Sequence, residues 1–199
     1  PETSFKIDNI ETFHLRFDGS YWEDYKRDDT ISSTSRFEFK AGWPTIYSTR
    51  VETVLVRVRL ADGTVGWGEA NVPIGPEVVC LIINNLINDI VKTREFADPQ
   101  ELRDFLYDTQ RGRGYFTGYW LDALACIDIA IWDSIGKRAG LPVSALFGRD
   151  VRKEIPIYLS GIRKATIDER IERAKEWLDT GCTGIKIFLD GNIDSGTKE

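Results

Sequence analysis

The sequence predicts an α+β domain that leads into a parallel strand–helix–strand unit, and three observations carry that prediction. Residues 51–69 alternate apolar and polar side chains about an Asp62-Gly63 turn, the mark of a β-hairpin. Residues 76–139 hold three stretches of helical periodicity, set off by proline and glycine. Two short apolar runs, 155–162 and 184–189, bracket an amphipathic helix at 167–179, the spacing of a βαβ unit.

Element by element, Phe5 to Phe17 opens as a strand in which Ile10, Thr12 and His14 alternate with Glu11, Phe13 and Leu15. Residues 18–50 lose all period while staying polar and rich in aromatics (Tyr21, Trp22, Tyr25, Phe37, Phe39, Trp43, Tyr47). A connection of that length reads as a lid, a binding loop or a disordered piece. In the hairpin Val54, Val56, Val58 and Leu60 share one face. On the return strand Gly66 and Gly68 flank Trp67, which marks a bulge or the close approach of another backbone. Pro76, after Gly75, suits a first helical turn, and Val79, Ile82, Ile83, Leu86 and Ile90 predict one helix to about Lys92. Asp98-Pro99-Gln100-Glu101 has the form of a capped start for a helix to about Thr109. After a glycine-rich break at 111–114, a longer helix runs to Ala139 and stops at Gly140, with Pro142 beyond. Asp128 and Asp133, polar positions in that apolar helix, read as braces of the domain junction, because a buried carboxylate needs a partner.

Composition excludes several classes. A formal charge of −6, from 26 basic and 32 acidic side chains without a basic stripe, argues against a nucleic-acid partner. No apolar run approaches the ~20 residues that span a bilayer. Cys80, Cys126 and Cys182 are odd in number, far apart and set among apolar or small residues, so they read as buried thiols in a reducing cytoplasm. The chain holds no methionine and does not begin with one, so residues are expected to be missing at its front or unrecorded elsewhere. His14, the only histidine, reads as a strand residue rather than a base.

From Ala123 onward the order of residues is specific: Ala123-Leu124-Ala125-Cys126-Ile127-Asp128-Ile129-Ala130-Ile131-Trp132-Asp133, then Gly136-Lys137, Pro142-Val143 and Leu146-Phe147-Gly148. This resembles the mandelate racemase and muconate lactonizing enzyme branch of the enolase superfamily. Asp62-Gly63-Thr64-Val65-Gly66-Trp67-Gly68-Glu69-Ala70 is similar to the hairpin of that family's capping domain, and Gly184-Ile185-Lys186-Ile187-Phe188 to its second barrel strand. The resemblance covers most of residues 51–189. It implies an α+β capping domain over residues 1–150, followed over 151–199 by the first strand, helix and second strand of a TIM-type (β/α) barrel that is incomplete in this chain.

The same resemblance implies removal of the proton next to a carboxylate, with Mg2+ stabilising the enediolate and its ligands expected on later strands beyond Glu199. Lys186 stands near the C-terminal end of a barrel strand, where barrels carry their chemistry. The family often has Lys-x-Lys there, but this chain reads Lys186-Ile187-Phe188, and phenylalanine cannot take a proton. Lys186 is therefore expected as an electrostatic contact to substrate, with the base, a histidine, on a later strand. A racemase working both faces of a carbon wants two bases, whereas a dehydratase can use one base and an acid that expels a β-hydroxyl. The departure points to dehydration of a sugar acid. A racemase, epimerase or cycloisomerase of the family is the alternative, and a non-catalytic binding or scaffold protein the alternative of another class. Residues 18–50 take the place of the family's mobile capping loop. Its Trp22, Tyr25, Trp43 and Arg50, with Asn71 after the hairpin and Ser160 at the first barrel strand, are the candidate substrate contacts. The expected partners are a small carboxylate substrate and further copies of the chain in a homo-oligomer.

Overall fold

The computed structural model describes residues 3–19, 30–40, 45–148, 152–162, 164 and 166–187. In chain order its strands are β1 (Phe5–Phe17), β2 (Thr30–Ser33), β3 (Phe37–Lys40), β4 (Thr45–Ser48), β5 (Val51–Leu60), β6 (Val65–Ala70), β7 (Glu95–Phe96), β8 (Leu159–Ser160) and β9 (Ile185–Lys186). Its helices are α1 (Pro76–Ile82), α2 (Asn88–Val91), α3 (Pro99–Arg111), α4 (Tyr119–Ala139), α5 (Val143–Leu146) and α6 (Ile167–Asp179), with a π-turn at Ile83–Ile87 between the first two. Residue contacts divide the chain into two units, Pro1–Phe17 with Glu52–Val151 and Asp18–Val51 with Arg152–Glu199.

The first unit is built on a sheet of order β6-β5-β1-β7. The predicted hairpin pairs Val54 with Ala70 and Arg59 with Val65. Val54, Val56, Val58 and Leu60 are buried on one face, where they join Ile127, Ala130 and Ile131 of α4 in a single apolar core. Gly66 and Gly68 explain the closeness of that packing. A Cβ at Gly66 would lie 1.9 Å from the Ala130 carbonyl oxygen, and one at Gly68 the same distance from that of Cys126. The two glycines thus mark a backbone-to-backbone approach of helix and strand.

Asp133 completes this contact. Its Oδ2 accepts a hydrogen bond from the Trp67 backbone N–H of edge strand β6 at 2.8 Å and another from Lys137 Nζ at 2.6 Å. It therefore braces α4 to β6 inside the first unit rather than at a domain junction. Asp128 is half-buried, and burial pushes its carboxyl above the usual range, opposed by the Arg103 charge and a hydrogen bond with Trp132. The caps form as the sequence predicts. Asp98 Oδ1 accepts from the Glu101 N–H at 2.8 Å, and Gly140 ends α4 in the left-handed region at φ 64°.

The stretch after Pro76 departs from the predicted single helix. Val79, Ile83, Ile87 and Val91 are buried, whereas Leu86 is 53% and Ile90 42% exposed. The π-turn is the cause: Asn88 N–H bonds the Ile83 carbonyl five residues back, and the wider turn keeps residues four apart in line. It also aims two asparagines at β1. Asn88 Oδ1 accepts from the Ile10 N–H at 3.0 Å, and Asn84 Nδ2 donates to Thr12 Oγ1 at 3.0 Å. Of the cysteines, Cys126 and Cys182 are buried and Cys80 is only partly so; all three are free thiols.

In the second unit, β2, β3 and β4 form an antiparallel meander where no regular structure is predicted. Thr34 turns the first connection, its Oγ1 accepting from Phe37 N–H at 3.0 Å. Strands of four residues are too short to declare a period, so the pattern is not visible in the sequence. Farther along, β8 and β9 pair in parallel, as the βαβ reading requires, although β8 spans two residues where a strand over 155–162 is predicted. The intervening α6 starts at a reciprocal capping box between Thr166 and Glu169. Among the described residues no helix is long and apolar enough to cross a membrane.

Candidate functional site

The parallel ladder fixes the relation between two predicted site residues. Leu159 pairs with Ile185 and Ser160 with Lys186, and the Gly161 N–H donates to the Lys186 carbonyl at 2.8 Å. Residues paired across two strands project to one face, so Ser160 and Lys186 share a face where both strands end. Both residues are exposed. Arg50, elsewhere in this unit, makes an ion pair with Asp18 at 3.1 Å, and its N–H donates to Ser48 Oγ. Asn71 lies in the first unit, exposed just past the end of β6. Trp22, Tyr25 and Trp43 fall outside the described residues, as does Phe188.

A second polar group, in the first unit, was not among the sequence expectations. Glu52 is fully buried at the start of β5. Arg16 Nε sits 3.0 Å from its Oε1, in ion-pair contact rather than as an aligned hydrogen bond. His14 lies between two carboxylates, Nε2 3.6 Å from Glu52 and Nδ1 3.7 Å from Glu77. Burial makes a carboxylate costly unless opposite charge is close, and Arg16 provides it. The signal was present in the sequence: Glu52 is in phase with Val54, Val56 and Val58 on the inward face of its strand. His14 is a member of β1, as expected.

Among the described residues no group of three or more His, Cys, Asp or Glu side chains is arranged to hold a metal ion. Among the described residues the carboxyls of Asp122 and Asp128 have resolved upward shifts, which they owe to burial in α4.

An α+β domain whose hairpin packs glycine-to-backbone on a long helix, followed in sequence by a parallel strand pair with a lysine at its end, is the front of an enolase-superfamily protein. The chain belongs to the mandelate racemase / muconate lactonizing enzyme family, whose N-terminal domain matches residues 39–148. It is 31% identical over 138 residues to a D-galactonate dehydratase family member from Paenibacillus sp. (strain JDR-2), covering 65% of this chain and 31% of that protein. A member of the enolase superfamily from Agrobacterium tumefaciens superposes with a TM-score of 0.83 at 35% identity, over 93% of this chain and 48% of that one. A mandelate racemase/muconate lactonizing protein from Paracoccus denitrificans PD1222, complexed with magnesium, gives 0.63 at 26% identity, over 94% and 43%. The chain thus spans about a third of the curated relative and about half of the solved structure from Agrobacterium.

Proposed function

We propose that the polypeptide carrying this chain removes the proton from the carbon next to a carboxylate and that the reaction is dehydration of a sugar acid. The pairing of Ser160 with Lys186 at the ends of β8 and β9 carries the reading. A lysine and a serine on one face of adjacent strand ends suit a substrate carboxylate: Lys186 supplies charge, Ser160 donates a hydrogen bond, and the negative charge that grows as the proton leaves is met by the same pair. Phe188, two residues on, offers no second base, which favours a single-base elimination over exchange at both faces. The dehydratase name of the Paenibacillus relative supports the same choice. Trp22, Tyr25, Trp43, Arg50 and Asn71 are assigned to the polyhydroxy chain of the substrate. Magnesium dependence comes from the family: the ion, when bound, would stabilise the enediolate, and among the described residues no cluster of acids is arranged to hold it. Three free thiols suit the cytoplasm.

The test is to incubate the full-length protein with a panel of sugar acids, with magnesium and with chelator, and to measure 2-keto acid. Turnover of at least one acid is expected. Lys186→Ala is expected to lower it by about a hundredfold or more with an unchanged circular dichroism spectrum. An active Lys186→Ala variant returns Lys186 to an exposed strand-end lysine, and silence of the wild type on the whole panel removes dehydration.

A further inference from the structure

Ser160 and Lys186 stand on separate strands, and one residue touches both. Gly161 follows Ser160 in the chain, and its backbone N–H makes the 2.8 Å bond to the Lys186 carbonyl. Its φ of 77° lies in the left-handed region, which glycine enters freely and alanine only at a cost. The bonds on either side show where a disturbance at this glycine would go. Below it the ladder is tied: Leu159 N–H donates to the Gly184 carbonyl at 3.0 Å, and Thr183 donates to the Ile157 carbonyl through both N–H and Oγ1 at 2.9 Å. Beyond it the chain is tied again, with Lys164 N–H on the Ile162 carbonyl at 3.1 Å and Arg170 Nε of α6 on the Lys164 carbonyl at 2.9 Å. A residue that resists positive φ at 161 therefore moves the rung between these ties, and the Lys186 peptide moves with it.

We infer that Gly161 is a positioning residue for the reaction proposed above, acting through Lys186. Its left-handed backbone lets the chain turn out of β8 while the N–H stays in the ladder, and so sets where Lys186 stands relative to Ser160. Stabilising charge that develops on a substrate demands groups held in place beforehand, and this rung holds the lysine's backbone. The conformation at 161, not the absence of a side chain, is what the site requires. The inference rests on the assignment of Lys186 to the substrate carboxylate.

The test uses the full-length protein and its Gly161→Ala and Gly161→Asn variants, each also combined with Lys186→Ala, with circular dichroism on all. Asparagine enters the left-handed region more readily than alanine, so the larger side chain is the milder change. Gly161→Ala is expected to lower kcat/KM on the sugar acid turned over by the wild type about tenfold or more, and Gly161→Asn less than about threefold. With Lys186→Ala already present, neither should lower it further, because residues that act as one do not add. A second readout needs no turnover: acetic anhydride labelling of Lys186, followed by mass spectrometry, should change in rate about threefold or more in Gly161→Ala and stay near wild type in Gly161→Asn, since a displaced ammonium meets different neighbours. Additive losses, or an asparagine variant no better than the alanine one, overturn the inference and leave the reaction standing. An active Lys186→Ala removes the assignment of Lys186, and this inference with it. Silence of the wild type on every sugar acid removes dehydration alone, and the labelling rates then decide: equal rates in wild type and Gly161→Ala overturn the inference. Should Gly161→Ala not fold, a Gly161→Asn variant impaired by about tenfold or more in the same assays overturns it.

Discussion

In the unit formed by residues 1–17 and 52–151, Val54, Val56, Ile127 and Ile131 are fully buried, whereas in the other unit Ile155 is 70%, Ile157 58% and Tyr158 62% exposed. The side chains are of the same kind, and the difference lies in the number of neighbours each topology supplies. A sheet with helices laid on one face closes its own core. A parallel pair of two-residue strands with one helix leaves apolar sides open, as barrel strands do until strands flank them. The stability of this chain therefore resides in the first unit, while Ser160 and Lys186, the pair assigned to the substrate carboxylate, sit in the second.

Glycine substitutions break that comparison most sharply. Gly68→Ala places a methyl 1.9 Å from a backbone oxygen of α4, which cannot retreat, and is expected to cost about 3 kcal/mol. Gly184→Ala meets only Tyr158 Cβ, at 3.7 Å, and should change stability by less than about 0.5 kcal/mol. Urea unfolding of the two variants measures both, and equal costs would place the second strand of the barrel in a core as tight as the first unit's.

Ion pairs give a smaller contrast. Arg16→Ala removes the charge 3.0 Å from fully buried Glu52 and should destabilise by about 2 kcal/mol, below the range for a wholly buried pair because Arg16 itself is 35% exposed. Arg50→Ala breaks a pair with Asp18, which is 91% exposed, and should cost under about 1 kcal/mol. Thermal melts at low and at 1 M salt separate them, since only the exposed pair is readily screened.

The smallest effect is a pH slope. Burial raises the Asp128 carboxyl in the folded state above its unfolded value, so the folded form binds the proton more tightly. Stability then falls as pH rises from the unfolded value near 3.8 through the raised one, and the loss persists at neutral pH. Asp128→Asn is expected to flatten that slope and to raise the melting temperature slightly at pH 7. A steeper slope in the variant would show that the Arg103 and Trp132 contacts outweigh burial.

What the sequence disclosed follows the same divide. The hairpin, the capped start at Asp98 and the stop at Gly140 were legible because local chemistry dictates them: alternation, a side-chain acceptor and a residue that tolerates positive φ. The pairing of Ser160 with Lys186 follows from strand order once a parallel pair is recognised. Other features depend on partners that a linear reading does not see. Leu86 and Ile90 belong to the helical stripe on paper, but the π-turn substitutes Ile87 and Val91. The meander at 30–48 consists of strands too short to show a period. The buried Glu52 announced itself by phase, yet its partners Arg16 and His14 come from a strand 36 or more positions earlier in the chain. The strand predicted at 155–162 shortens to Leu159–Ser160, because ladder bonds on either side need flanking strands.

The turn at Ile83–Ile87 also has a consequence for heredity. It is one residue longer than the α-helical turn it replaces, and both Asn84–Thr12 and Asn88–Ile10 depend on the phase it sets. Losing a single codon there would leave a perfectly good helix and yet rotate everything after it by about 100°, turning Ile87 and Val91 out of the core. Point substitutions can drift through this helix one side chain at a time, but its length is inherited as a unit.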